Sequence, residues 1–277
     1  MSDNGWFVGV DPGDTETAAG RIREGSADSP EDWPARAVEA GFADSEEAYY
    51  SLLREASIAA ARAGVVERER AGDRQLMHAI RAMDDCDRTA NELAERVAEW
   101  AGSLFDEVGA GVDGARAVAA RDPADPNEER VVALAERVVE LDEEATALRS
   151  YIERTAPEVA PNLSRLAGPV LATRLIAIAG GLDALAKKPS GTVQVLGAED
   201  ALFAHLRGRA PSPKHGIIFT HEYVRGTHPD ERGSAARALA GKLAIAARVD
   251  HYSGELKPAL ERELDERMER IRSRGDA

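Results

Sequence analysis

Two stretches of this chain repeat apolar residues at alternating steps of four and three. In the first, Ala79, Met83, Cys86, Ala90, Leu93, Val97, Trp100 and Leu104 fall on one face of a single helix; in the second, Val131, Leu134, Val138, Leu141, Ala145, Leu148 and Ile152 do the same. Such a spacing is a heptad seam, and a helix that carries one must cover it with another helix. The Gly-, Asp- and Pro-rich interval from Val108 to Asn127 is long enough to turn the chain round between the seams. Two long, antiparallel, coiled-coil-like helices are therefore expected. The pattern leaves open whether they belong to an ordinary bundle, and whether the pair closes within one chain or across two.

The flanking segments read differently. Trp6 to Val10 is a short apolar run followed by Asp11-Pro12-Gly13-Asp14, which predicts a strand and a turn, with Thr17 to Arg23 returning as a second strand. Ser45 to Val66 reads as a helix with Ser45 at its N-cap. A small α/β domain over residues 1–72 is expected, then the long helices over 73–161. Residues 162–254 are compact and helical, punctuated by Pro189, Pro211, Pro213 and Pro229, and 255–277 holds a charged amphipathic helix whose end frays from Arg272. The expected fold class is mainly α: a small α/β N-terminal domain, antiparallel helices and an all-α C-terminal module.

Composition narrows the functional classes. Aromatic residues make up 5% against 43% hydrophobic, so the cores must be built from Ala, Val and Leu. The single Cys86 forms no intrachain disulfide, and Met1 to Gly20 show no basic segment followed by an apolar run. A cytoplasmic protein is expected. The longest apolar stretch, Leu166 to Leu182, is broken by Arg174 and Gly180-Gly181 and reads as a buried helix, so no membrane partner is expected.

Acids outnumber bases 50 to 35, and only five of the bases are Lys, a composition like that of halophile proteins. Within Asn162 to Gly254, however, 12 Lys and Arg face 7 Asp and Glu, while the first 161 residues carry a balance of −19. This basic module is the one part of the acidic chain whose charge suits nucleic acid.

Several residues in that module are candidates for contact. His215 lies in the loop-like Pro213-Lys214-His215-Gly216, where an imidazole can stack on a base or donate to phosphate. Arg237, Lys242 and Arg248 interrupt an Ala-rich helical run; small side chains there allow either close approach of a ligand or tight packing against neighbouring helices. The His residues after position 200 match no metal-ligand spacing, and neither a catalytic triad motif nor a phosphate-cradling Gly loop occurs. No catalytic residue, metal or cofactor is therefore expected. The rival reading places a divalent metal on Asp11 in GVDPGDT, as in RNase H-like nucleases or phosphotransferases; it requires further carboxylates converging on that metal.

The ordered motifs carry a resemblance. The run through Ala160-Pro161-Asn162, Gly180-Gly181-Leu182, Val195-Leu196-Gly197-Ala198-Glu199, Lys214-His215-Gly216 and Ala246-Ala247-Arg248-Val249-Asp250 resembles the Nop domain of box C/D RNA–protein scaffolds and of a related spliceosomal factor. Asp73 through Trp100 is similar to the long helix of the archaeal members. The resemblance implies a non-enzymatic scaffold that binds kink-turn guide RNA together with a small ribosomal-type kink-turn-binding protein. It also implies pairing of two copies through the coiled coil, and recruitment of a fibrillarin-type methyltransferase for guide-directed ribose 2′-O-methylation of rRNA or tRNA. The methyl donor would belong to that partner. Family contacts carry over to Lys187, Ser190, Gly191, His215, Arg237, Lys242 and Arg248; charge and loop position add Lys188, Lys214 and Arg225. Where family members commonly read GAEK-ALFR, this chain reads GAED-ALFA, so Asp200 and Ala204 remove two bases and leave an RNA contact at that loop open.

Overall fold

The structure, a computed structural model, describes residues 5–26 and 29–275 and divides into two compact units that meet in sequence at Ala71 and Gly72. Among the described residues every regular element is a helix, with fourteen α-helices and one 3₁₀ turn.

The first unit contains α1 (Thr15–Glu24), α2 (Trp33–Glu39) and α3 (Glu46–Arg70). Each begins at a polar side chain that satisfies a free backbone N–H: Asp14 accepts from Thr17, Asp32 from Ala35 and Ser45 from Ala48. The expected strand pair does not form, which corrects the α/β reading of this segment. Residues 6–9 are turns, with Val8 N donating to Gly5 O and Val10 N to Phe7 O. Thr17 to Arg23 is helical because Asp14 caps it twice, through its backbone and through the Thr17 hydroxyl at 2.6 Å. Trp6 and Phe7 instead pack on Phe42 and Tyr49, and the Trp6 indole donates to the Tyr49 hydroxyl at 3.2 Å. An aromatic cluster buries Phe7 and half-buries Trp6 without any ladder partner.

The second unit opens with the hairpin. α4 (Gly72–Ala101) and α6 (Pro126–Val159) pack along their length in antiparallel sense, and α5 (Gly111–Ala119) fills the open end between them. Near that end Ala90, Ala94 and Val97 meet Val131, Ala135 and Val138, together with Ala115 and Val118 of α5. Near the base Leu76, Ile80 and Met83 meet Ala145, Ile152 and Ala156. The pair therefore closes within one chain. Trp100 departs from the expected seam: it is 40% exposed, while Ala101 turns inward in its place.

α6 leads through Ala160 into α7 (Pro161–Ala167), followed by α8 (Pro169–Ala179), α9 (Leu182–Ala186), α10 (Ser190–Val195) and α11 (Glu199–Leu206). A 3₁₀ turn (Ile217–Thr220), α12 (Glu222–Arg225), α13 (Arg232–Tyr252) and α14 (Ala259–Gly275) complete the chain. α14 runs through the segment expected to fray as far as Gly275; the last two residues lie outside the described residues. Its Leu260, Leu264, Met268 and Ile271 enter the same core as α7, α8 and α13. One buried polar knot joins these parts. Asp250, at the end of α13, accepts from the backbone N–H of Asn162 and Leu163 at 2.9 and 2.8 Å and so caps α7. The Asn162 amide group donates to Asp250 and to Glu255 O, and accepts from Lys257 N. At the other end Asp73 of α4 accepts from Leu182 N, capping α9, and Arg174 of α8 pairs with Asp84 of α4. These two bonds fasten the module to α4, while α6 runs on into α7 and packs against α8.

Candidate nucleic-acid interface

α13 organises the surface. Nine of its Ala and Leu residues, from Ala235 to Ala247, are buried against surrounding helices, α7, α9, α10, α12 and α14 among them. The alanines thus serve tight packing inside the chain, and only a narrow strip of the helix reaches solvent. Arg237 and Arg248 are about three turns apart and project within about 20° of each other. Between them lie Gly241, with nothing within 4 Å of where a Cβ would stand, and Ile245, which is 40% exposed. Lys242 does not share this strip. It points about 140° away from Arg237 and its ammonium pairs with Glu263 of α14, which holds that carboxyl below the usual carboxylate range.

At one end of the strip Arg248 donates through Nε to Ala186 O at 3.1 Å and through Nη2 to Lys188 O at 3.4 Å. These bonds pin the link between α9 and α10, which carries Lys187 and Lys188 and leads into Ser190 and Gly191. Lys187 is exposed and stands 4.0 Å from Asp183. Ser190 and Gly191 open α10, where first-turn amides have no intrahelical acceptor.

At the other end the Lys214-His215 loop runs beside the exit of α10. Gly216 N donates to Gln194 O at 2.9 Å, Ile217 N to Leu196 O at 2.8 Å, and the Gln194 side chain to Lys214 O at 2.8 Å. A Cβ on Gly216 would stand 2.1 Å from Leu196 O, so this approach admits only glycine. The Lys214 stem lies over Gly233 of α13, where a Cβ would be 3.8 Å from its Cδ. The His215 ring stacks on Phe219, with centroids 4.5 Å apart and planes 20° from parallel.

Arg232 joins this end together and was not among the sequence candidates. Its guanidinium stands 5.4 Å from the centre of the Phe219 ring and donates to Thr227 O at 3.1 Å and to Arg225 O at 3.3 Å. Arg225 itself is exposed at the end of α12. Burial, and then the charge of Arg232, push the His215 imidazole below its ordinary pKa. His221 is also pushed down, chiefly by burial, and its neutral ring bridges Leu166 O and Tyr223 N. The Tyr223 hydroxyl donates to Asp265, which raises it to about 12, so Tyr223 clasps α14 while His221 clasps α7.

The structure therefore brings Lys187, Lys188, Ser190, Gly191, Lys214, His215, Arg237 and Arg248 onto or beside one basic strip, links Arg225 to it only through the bond from Arg232 to its carbonyl, and sets Lys242 apart. Asp200 and Ala204 lie on α11, which buries none of its side chains and leaves Phe203 and Leu206 exposed. Asp11 is exposed in the turn before α1, and among the described residues no group of three His, Cys, Asp or Glu is placed to hold a metal. The metal-dependent rival finds no converging carboxylates among the described residues.

Comparison with known proteins agrees with the fold. The family description "Nop: snoRNA binding domain, fibrillarin" matches residues 115–271, more than half of the chain and all ten candidates. The chain belongs to the Nop family. It is 38% identical over 237 residues to an uncharacterized NOP5 family protein of Methanocaldococcus jannaschii, covering 72% of this chain and 57% of that protein. It is 30% identical over 243 residues to nucleolar protein 56 of Saccharomyces cerevisiae, covering 71% of this chain and 48% of that one. The chain thus spans about half the length of the curated relatives it matches. A solved structure of a fibrillarin/Nop5p complex contains a chain similar over 93% of this one and 92% of its own, at 27% identity and a TM-score of 0.54.

Proposed function

We propose that this chain is a non-enzymatic scaffold of a box C/D small RNA–protein particle. In this reading the second unit binds kink-turn guide RNA already carrying a small ribosomal-type kink-turn-binding protein, and the particle directs ribose 2′-O-methylation of rRNA or tRNA in the cytoplasm. The observation that carries it is the basic strip from Lys214 through Arg237 and Arg248 to Lys187, in which Arg248 is held by Ala186 O and Lys188 O and the Lys214 stem lies over Gly233. The distance along α13 from Gly233 to Arg248 is about 22 Å, enough to follow several phosphates.

The contact set comprises Lys187, Lys188, Ser190, Gly191, Lys214, His215, Arg225, Arg237 and Arg248. It omits Lys242, whose charge is already met by Glu263. In the first unit Tyr50, Ile58 and Val65 stand exposed along α3, and these suit docking of a fibrillarin-type methyltransferase, which would bring its own methyl donor. Similarity to a chain from a fibrillarin complex supports that partner. Exposed Trp100 near the open end of the hairpin suits pairing of two copies.

Gel-shift titration with a kink-turn RNA tests the reading. The chain should bind the bare RNA weakly and the RNA loaded with its small protein strongly, because part of the surface it recognises belongs to that protein. Equal affinity for bare and loaded RNA would overturn the composite site.

A further inference from the structure

We infer that Arg232 is a positioning residue that holds the His215 imidazole as an uncharged stacking face for an unpaired nucleobase, so that this loop recognises a base and not a phosphate. The inference rests on the RNA-binding reading above and assigns chemistry within it. Arg232 is anchored at two carbonyls, Thr227 and Arg225, before it reaches the aromatic pair. Its guanidinium lies by the Phe219 ring, and Phe219 in turn carries the His215 ring nearly parallel to itself. A stack in this geometry acts as one extended aromatic surface, and unstacked RNA bases are recognised by such surfaces, histidine included.

A charged imidazole would be out of place here. The charged groups that face His215 are cations: Arg232 from α13 and Lys214 beside it, with uncharged Gln194 and Leu196 across the loop. Burial and these two charges disfavour protonation, while only a bond to its own backbone favours it. At neutral pH the ring is an aromatic plate with a neighbouring lysine for phosphate, and the two residues divide the recognition between them.

Binding of the whole chain to kink-turn RNA loaded with its small protein separates the alternatives. His215→Phe should stay within about threefold of wild type, whereas His215→Ala and His215→Lys should each weaken binding roughly tenfold or more. Lowering the pH from about 7.5 towards 5 should weaken wild type more than His215→Phe, since protonation spoils the uncharged face. By NMR, the His215 titration midpoint should rise in Arg232→Gln and stay depressed in Arg232→Lys, a response that loss of packing alone does not produce. Full binding by His215→Lys with loss in His215→Phe would overturn the inference, as would an unmoved midpoint in folded Arg232→Gln. Should Arg232→Gln fail to fold, the three His215 variants still decide. Failure of wild type to bind loaded RNA at all would overturn the RNA reading itself, and this inference with it.

Discussion

Asp250 shows how much one carboxylate holds in this fold. It takes two backbone N–H groups and one side-chain amide proton, all inside the core at the start of α7. Asp250→Ala leaves those donors buried without acceptors, at about 1–3 kcal/mol each where no water enters. A total loss of roughly 3 kcal/mol or more is expected in urea unfolding, and less in Asp250→Asn, which keeps one acceptor oxygen. The residue was visible in the sequence only as the last letter of a family motif; nothing in Ala-Arg-Val-Asp says that the Asp points inward. Lys242 and Arg232 teach the converse. Lys242 shares a helix with Arg237 and Arg248, and only the phase of that helix against α14 separates its charge from theirs. Arg232 acts on two carbonyls and an aromatic ring, groups that leave no charge pattern for a reader of the sequence to match.

Among elements, the hairpin was the most legible. Its period needs one assumption, that an apolar stripe must be covered, and Val97, Val131, Val138 and Ile152 all obey it. Trp100 breaks the rule because the seam ends there: α5 enters and Ala101 takes the inward position. The contrast can be measured. Ile152→Ala should cost about 2–5 kcal/mol by chemical denaturation, whereas Trp100→Ala should change stability by about 0.5 kcal/mol or less. Similar losses at both sites would contradict the packing described. The strand expected at Trp6 to Val10 failed for a reason local to short apolar runs. Five residues cannot distinguish a ladder from an aromatic cluster, since the distinction lies in Phe42 and Tyr49, far along the chain. The basic strip was legible as a set of residues but not as a line, because the line follows from α13 being enclosed by its neighbours.

At the scale of the molecule, charge and architecture set different limits. A net charge of −15, concentrated before the basic module, makes the folded chain repel itself in dilute buffer. Screening falls to about 3 Å in molar salt, so the urea midpoint should rise between low and molar KCl; full stability in dilute buffer would count against this account. Under the same molar salt, phosphate contacts lose most of their counterion-release drive, which raises the relative worth of stacking and shape at the RNA face. Architecture then adds something that charge does not. α6 is a single helix of 34 residues joined to α7 through one non-helical residue, Ala160, and Asp250 locks that junction from the far side. Such a helix is a ruler about 51 Å long. Any body gripped at the hairpin's open end is held at a span and a bearing counted out in residues: two turns more or fewer would move it by about 11 Å, and a single residue would swing it by about 100°.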